Sequence, residues 1–312
     1  MLEDHSSPYR PPALNNCRTL DARQSFLVAL VGFLFIFFLP ANLLCRQAEP
    51  SLAILDAGVE RSEDAPFAAA DYRFYPGDYL YFRFQVGGFG VHTDETKETR
   101  SISLAYEISP LDANGVLLAP PATEAIKAEL SPEDKNWMPK RRATFLLPSF
   151  AAAGIFHLRV TVKDLVANTQ TTRDFPFTMG GTEIVPSPTV TVQNFRYFRK
   201  EDDRQSLDLA AYRPGDTVYA RFVMVGYQLD PDHKYHLAYG LQVLKPDGKP
   251  FVEEPNAAEL TSDSFYPAQF VPGDIAVTTS ADSPKGVYVV LVTVKDLLAN
   301  RTYQAKSTFQ VE

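Results

Sequence analysis

Cysteine is nearly missing from this sequence of 312 residues: Cys17 and Cys45 are the only two, and residues 46–312 contain none. A disulfide framework and a cysteine-based metal site are thereby excluded from the body of the chain. Its stability must come from packed cores alone, which domains of this size can supply. Basic residues are in deficit, 30 Lys and Arg against 38 Asp and Glu, for a formal net charge of −8. Residues 1–45 are balanced, so the deficit lies wholly beyond them, and both halves of the remainder are mildly acidic. A phosphate-binding protein needs a basic face, so no nucleic-acid partner is expected. The short clusters Lys140-Arg141-Arg142 and Arg199-Lys200 read as solvated loops or strand edges. Glycine and proline show no collagen-like period. The signatures HExxH, GxSxG, GxGxxG and the P-loop are all absent. Gly87-Gly88-Phe89-Gly90 follows a strand pattern with no helix after it, so it offers no helix N-terminus to a phosphate. Neither catalysis nor a cofactor is expected.

What is present begins with an apolar run. Residues 24–45 carry no charge, and residues 26–39 are almost entirely apolar. Read to Leu44, the run is long enough to cross a bilayer core at 1.5 Å per residue. Its dense part also has the length of a signal-peptide h-region, with Pro40 to break the helix. No clean small-x-small cleavage site follows, which favours an uncleaved signal-anchor over a cleaved signal. A lipoprotein signal at Cys45 is the third reading, weakened by Asn42-Leu43-Leu44 before it. Arg10, Arg18 and Arg23 precede the run, so the positive-inside bias places the C-terminal body on the exported side, periplasmic or extracellular. Residues 1–23, rich in serine and proline, read as a disordered tail.

The rest of the chain is a duplication. Pro76-Gly77-Asp78 and the Tyr79 to Phe84 run reappear as Pro214-Gly215-Asp216 and Thr217 to Phe222. Leu104-Ala105-Tyr106 reappears as Leu237-Ala238-Tyr239, and Asn114-Gly115 as Asp247-Gly248. The run from Val160 to Asn168 reappears from Val292 to Asn300. The order is the same in both copies, which sets two domains at 51–179 and 189–312 with a stiff, proline-containing linker at 180–188. Apolar side chains alternate with period two, as in Leu80, Phe82, Phe84 and Val86, and no amphipathic helix interrupts them. Seven or eight short strands per copy are expected. The fold class is all-β: two tandem Ig-like antiparallel β-sandwiches after an N-terminal membrane or signal helix.

The end of each copy resembles the last two strands of bacterial Ig-like and fibronectin-III-like envelope domains. Gly154, Phe156, Val160, Val162, Asp164, Asn168 and Phe177 carry the pattern in the first copy. Gly286, Tyr288, Val292, Val294, Asp296, Asn300 and Phe309 carry it in the second. The two cysteines and the core tryptophan of antibody-type domains are missing. The resemblance implies architecture and an envelope setting, and it transfers no functional residue.

Candidate ligand-binding residues are aromatics on loops. Trp137 stands before Met138-Pro139, and the matching stretch of the second copy is read as Phe265-Tyr266-Pro267. Such rings can stack on sugars or anchor a partner protein, and they can equally lid the end of a sandwich core, which is the favoured reading of Trp137. Asp230, Asp232, His233 and His236 form the densest metal-like cluster, on a loop that does not fix their geometry. Asp164 with Asn168, and Asp296 with Asn300, have oxygens for calcium but lack a third acidic residue; bonding to their own loop explains the same residues and is the favoured reading. The expected function is a non-enzymatic, membrane-anchored scaffold or protein-interaction module. Its partners would be another envelope protein and the membrane through residues 24–45. Carbohydrate binding, with a polysaccharide partner, is the alternative.

Overall fold

The computed structural model describes residues 51–312, apart from Lys97, Pro132 and Asp263. The tail expected over 1–23 and the apolar segment expected over 24–45 lie outside the described residues. Within the described residues the chain is all strand and contains no helix. The first copy holds β1 (Ala53–Glu60), β2 (Arg73–Phe74), β3 (Tyr79–Gly87), β4 (His92–Asp94), β5 (Thr99–Leu111), β6 (Ala122–Leu130), β7 (Lys140–Leu146), β8 (Gly154–Asp164) and β9 (Thr169–Met179). The second holds β10 (Thr191–Phe198), β11 (Ala211–Tyr212), β12 (Thr217–Val225), β13 (His236–Leu244), β14 (Pro250–Thr261), β15 (Val271–Thr278), β16 (Gly286–Asp296) and β17 (Arg301–Val311).

Alternation of side chains builds the layers. Leu80, Phe82, Phe84 and Val86 on β3 are fully buried, and Val218, Ala220, Phe222 and Met224 repeat this on β12. Each fully buried Leu or Phe contributes roughly 1.5–3 kcal/mol. In the first copy, a three-stranded sheet ordered β1-β3-β7 packs on a six-stranded sheet ordered β2-β9-β8-β5-β4, with β6 on β5. In the second, β10-β12-β15 packs on β11-β17-β16-β13-β14. Each copy is therefore a two-layer β-sandwich with its own core.

Two details depart from the sequence-based expectation. The sheets are not purely antiparallel, because β2 pairs parallel with β9 and β11 parallel with β17. After β1 or β10 the chain leaves the small sheet and lies along the edge of the large one, in the direction of the last strand. The Pro-Gly-Asp turn, in which proline fixes φ, glycine is expected at positive φ and Asp is expected to bond the backbone beyond it, also closes differently. Gly77 and Gly215 take positive φ of 87° and 92° as the motif predicts. The Asp carboxylate, however, bonds backward and not onward: Asp78 Oδ2 accepts Tyr75 N–H and Asp216 Oδ2 accepts Arg213 N–H, both at 2.8 Å.

The two sandwiches meet end on, and the linker is clamped between them. The Gln193 side chain donates to Val185 O at 2.7 Å and accepts from Val185 N–H at 2.9 Å, while Asn194 Nδ2 donates to Glu183 O at 2.8 Å. Gly226, at φ 72°, lets the linker backbone come so close that a Cβ there would lie 2.2 Å from Thr189 O. From the first copy, Phe150 packs with Val223, Val225 and Phe270 of the second. Gln269 N–H donates to Phe150 O at 3.0 Å, and its Oε1 accepts Ala152 N–H at 2.7 Å.

Candidate functional site

The sequence-derived candidate Trp137 lines a groove of roughly 500 Å³ at the end of the first sandwich opposite the second copy. Leu55 on β1, Gly87-Gly88-Phe89 at the end of β3, and Met138 just before β7 contribute to its apolar part. Arg100, Asp134 and Lys135 stand at its rim. Trp137 meets the Phe89 ring edge-on, with centroids 6.4 Å apart. Trp137, Met138 and Leu55 remain 38%, 40% and 41% exposed, a large apolar share for one strand end. Gly87 permits the arrangement: a Cβ there would lie 2.8 Å from Leu55 Cδ1 and 3.3 Å from Met138 Sδ.

Phe265 and Tyr266 do not join this surface. Phe265 is half exposed, but Tyr266 is only 1% exposed and packs into the core cluster of the first copy. Its hydroxyl donates to Asp112 Oδ2 at 3.1 Å, and burial beside that carboxylate pushes its pKa far above the ordinary range. Asp112 follows the C-terminal end of β5, whereas Arg100 of the Trp137 groove lies at its N-terminal end, so about 40 Å of strand separates the sites. A three-aromatic platform is not formed. The ladder also corrects the match between copies. Lys140 on β7 and Pro272 on β15 occupy the same place against β3 and β12, which aligns Trp137-Met138 with Gln269-Phe270.

The metal-like cluster is dispersed as well. Asp230 Oδ1 accepts the N–H groups of Asp232 and Lys234, both at 2.9 Å, closing the loop on itself. His233 takes a positive φ of 63° and its Nδ1 lies 2.9 Å from Phe265 O. His236 Nε2 instead meets Glu259 Oε1 across the β13–β14 ladder at 2.5 Å. Asp230 and His236 line one shallow groove, but among the described residues no group of three or more His, Cys, Asp or Glu could hold a metal ion.

The paired Asp and Asn residues serve the fold. Asp164 Oδ1 accepts from Val166 and Ala167, and its Oδ2 from Gly90 at 2.5 Å. Asp296 repeats this with Leu298, Ala299 and Gln228. Donors therefore occupy both carboxylate oxygens where a calcium ion would have to bind. Asn168 and Asn300, at φ 53° and 51°, supply the left-handed residue of each hairpin turn.

An arginine groove escaped the sequence reading. Arg196, Arg204 and Arg221 line a space of roughly 680 Å³ beside the linker, with Glu183 at the same surface. Arg221 stands over the Phe198 ring at 4.2 Å and donates to the main-chain oxygens of Glu201 and Asp203. The repeat motif exposes Arg221 to inspection, but Arg196 and Arg204 come from separate segments that only the fold gathers. The basic clusters noted earlier are partly neutralised: Arg142 pairs with Asp64, Arg141 lies 3.7 Å from Glu124, and Arg199 lies 3.6 Å from Asp216.

No protein family matches this sequence, and no curated protein matches it. Among solved structures, the C-terminal domain of the antigen I/II-family protein AspA of Streptococcus pyogenes is 14% identical, with a TM-score of 0.26. It covers 84% of this chain and 99% of its own. The C-terminal domain of the Streptococcus agalactiae antigen I/II polypeptide BspA is 13% identical at a TM-score of 0.24, with coverage of 84% and 99%. A family 123 glycoside hydrolase from Clostridium perfringens is 14% identical at a TM-score of 0.27; the alignment takes in 40% of this chain and 27% of the hydrolase. No architecture and no functional residue is carried across from any of them.

Proposed function

We propose that this protein is a non-enzymatic, membrane-anchored spacer of the cell envelope, built as a tandem Ig-like pair and anchored by residues 24–45. The observation that carries this reading is the built junction between the copies. Tyr266 enters the first core, Phe150 enters the apolar patch of the second copy, and side chains grip the linker. A junction made of buried aromatics and backbone hydrogen bonds fixes the angle between domains, where a loose tether would let it vary. Such a pair holds the far end of the second copy at a set distance from its anchor and offers loops there to another envelope protein. Carbohydrate binding stays as the second reading, confined to the Trp137 groove, where ring and polar rim stand together.

The test is capture by the full chain in lipid nanodiscs from solubilised envelope, reading retained proteins and polysaccharides. Retention of one defined protein, lost when the turn at 245–249 is substituted, supports the spacer. Polysaccharide retained and then lost in Trp137→Ala supports the second reading. Turnover of an envelope substrate by the purified chain overturns the spacer reading.

A further inference from the structure

The two copies differ most at the end where each receives the upstream chain. In the second copy, three positions at that end hold upstream polypeptide: Gln193 binds Val185 of the linker, Gln269 binds Phe150 and Ala152, and Phe270 packs with Phe150. Strand register places Leu55, Trp137 and Met138 at the same three positions of the first copy. Two glutamines that grip a protein backbone are thus replaced by leucine and tryptophan. The replacements cannot make the paired amide bonds, and they leave an exposed apolar surface with a cationic rim from Arg100 and Lys135 beside Asp134.

The occupant follows from what lies upstream. Ser51, the first described residue, enters at this same end, since Ala53 pairs with Gly87 in the groove. Only residues 46–50 separate it from the apolar run 24–45. Five residues reach at most about 18 Å when fully extended. A second copy of the chain is a poor occupant. The free end of the second sandwich carries Asp282 where the first has Phe150, and Lys245 where the first has Asp112, the acceptor of Tyr266. The apolar plug and the acceptor that seal the internal junction are both missing there, so the junction cannot propagate from chain to chain.

We propose that the Trp137 end of the first sandwich rests in the headgroup region of the lipid bilayer, with Trp137, Met138 and Leu55 as its contact. Tryptophan favours that depth because its ring is apolar while its indole N–H keeps a polar partner. This inference rests on residues 24–45 being a membrane anchor.

Trp137 is the only tryptophan and so reports on its own surroundings. The full chain is reconstituted into phosphatidylcholine vesicles carrying bromine at shallow or deep acyl positions. Flotation reports the anchor, and tryptophan emission reports the contact. The expected result is flotation, short-wavelength emission, and at least about twofold quenching by shallow bromine with less by deep bromine. In a Leu55→Gln, Met138→Gln variant that keeps its β-sheet circular dichroism, flotation should persist while quenching falls. Flotation with water-like, unquenched emission overturns the contact and leaves the anchor standing. Short-wavelength emission without bromine quenching assigns the surface to protein and likewise overturns it. Failure to float overturns the anchor and the contact together.

Discussion

Arg83 and Arg221 occupy the same place in the two copies, and their surroundings show how far one framework can diverge. Each guanidinium stands over a phenyl ring, Arg83 at 4.4 Å from Phe67 and Arg221 at 4.2 Å from Phe198. Arg83 is then neutralised by carboxylates: Nη1 lies 3.0 Å from Glu60 Oε1, and Nε lies 3.8 Å from Asp56. The Glu60 approach is one of charge more than of an aligned hydrogen bond, and Glu60 is 1% exposed. Arg221 donates to carbonyl oxygens, with no carboxylate paired to it among the described residues, beside Arg196 and Arg204. The repeat conserves the inward side chains and the turns, because those set the core and the chain direction. Compensation of outward charge and the chemistry of the strand ends are free to differ, and the function is sought there.

The largest effect should be shared by both copies. Asp164→Ala and Asp296→Ala each remove a buried carboxylate and leave three backbone N–H groups of a part-buried loop without their acceptor, at about 1–2 kcal/mol per group. Each variant should lose roughly 3–6 kcal/mol by denaturant titration. A markedly smaller loss in one copy would break the equivalence.

The arginine pair should separate the copies. Arg83→Ala strands the buried Glu60 carboxylate and should cost about 3–5 kcal/mol, whereas Arg221→Ala removes bonds to carbonyls and should cost about 1–2 kcal/mol. Replacing both members, Arg83→Met with Glu60→Leu, should recover most of the loss. Equal losses for the two single variants would show that the carboxylates do not matter.

At the junction, Tyr266→Ala should cost about 3 kcal/mol and split one calorimetric transition into two, while Tyr266→Phe should cost about 1 kcal/mol without splitting it. A single transition in Tyr266→Ala would mean that the copies are coupled by the linker clamp alone.

The smallest contrast is expected in alkali, where partial solvent access screens each penalty. Burial pushes Tyr197 and Tyr212 of the second copy up to about 12 and also raises Tyr227, Tyr235 and Tyr239; in the first copy it raises Tyr106. The unfolded chain loses these protons first, near pH 10, so the stability is fully present below pH 10 and is lost as pH climbs towards 12. Loss of β-sheet circular dichroism should therefore begin while Trp137 emission still reports a native first copy. Simultaneous change would show that alkali opens both copies at once.

Much of this architecture was legible in residues. Alternation fixed which face of β3 and β12 turns inward, the recurring Pro-Gly-Asp and Val-Thr-Val-Lys-Asp runs fixed the copies, and Asp164 and Asp296 declared themselves as loop staples. Those features are local: a side chain two positions along, or a donor three residues away, is written in the order of the chain. Trp137 was visible as an aromatic on a loop for the same reason. Its true counterpart was not, because the loops before β7 and β15 break the match and only the ladder restores it.

The order of the residues by itself determined that this body is a cysteine-free pair of β-cores with an acidic balance of charge, since periodicity and turn chemistry act over a few residues. Only the tertiary structure decided that Tyr266 is buried, that the four metal-like residues part company, and that the Trp137 end is the open one. The fate of those side chains depends on which distant surface covers them, and Tyr266 meets Asp112 across 154 residues of chain.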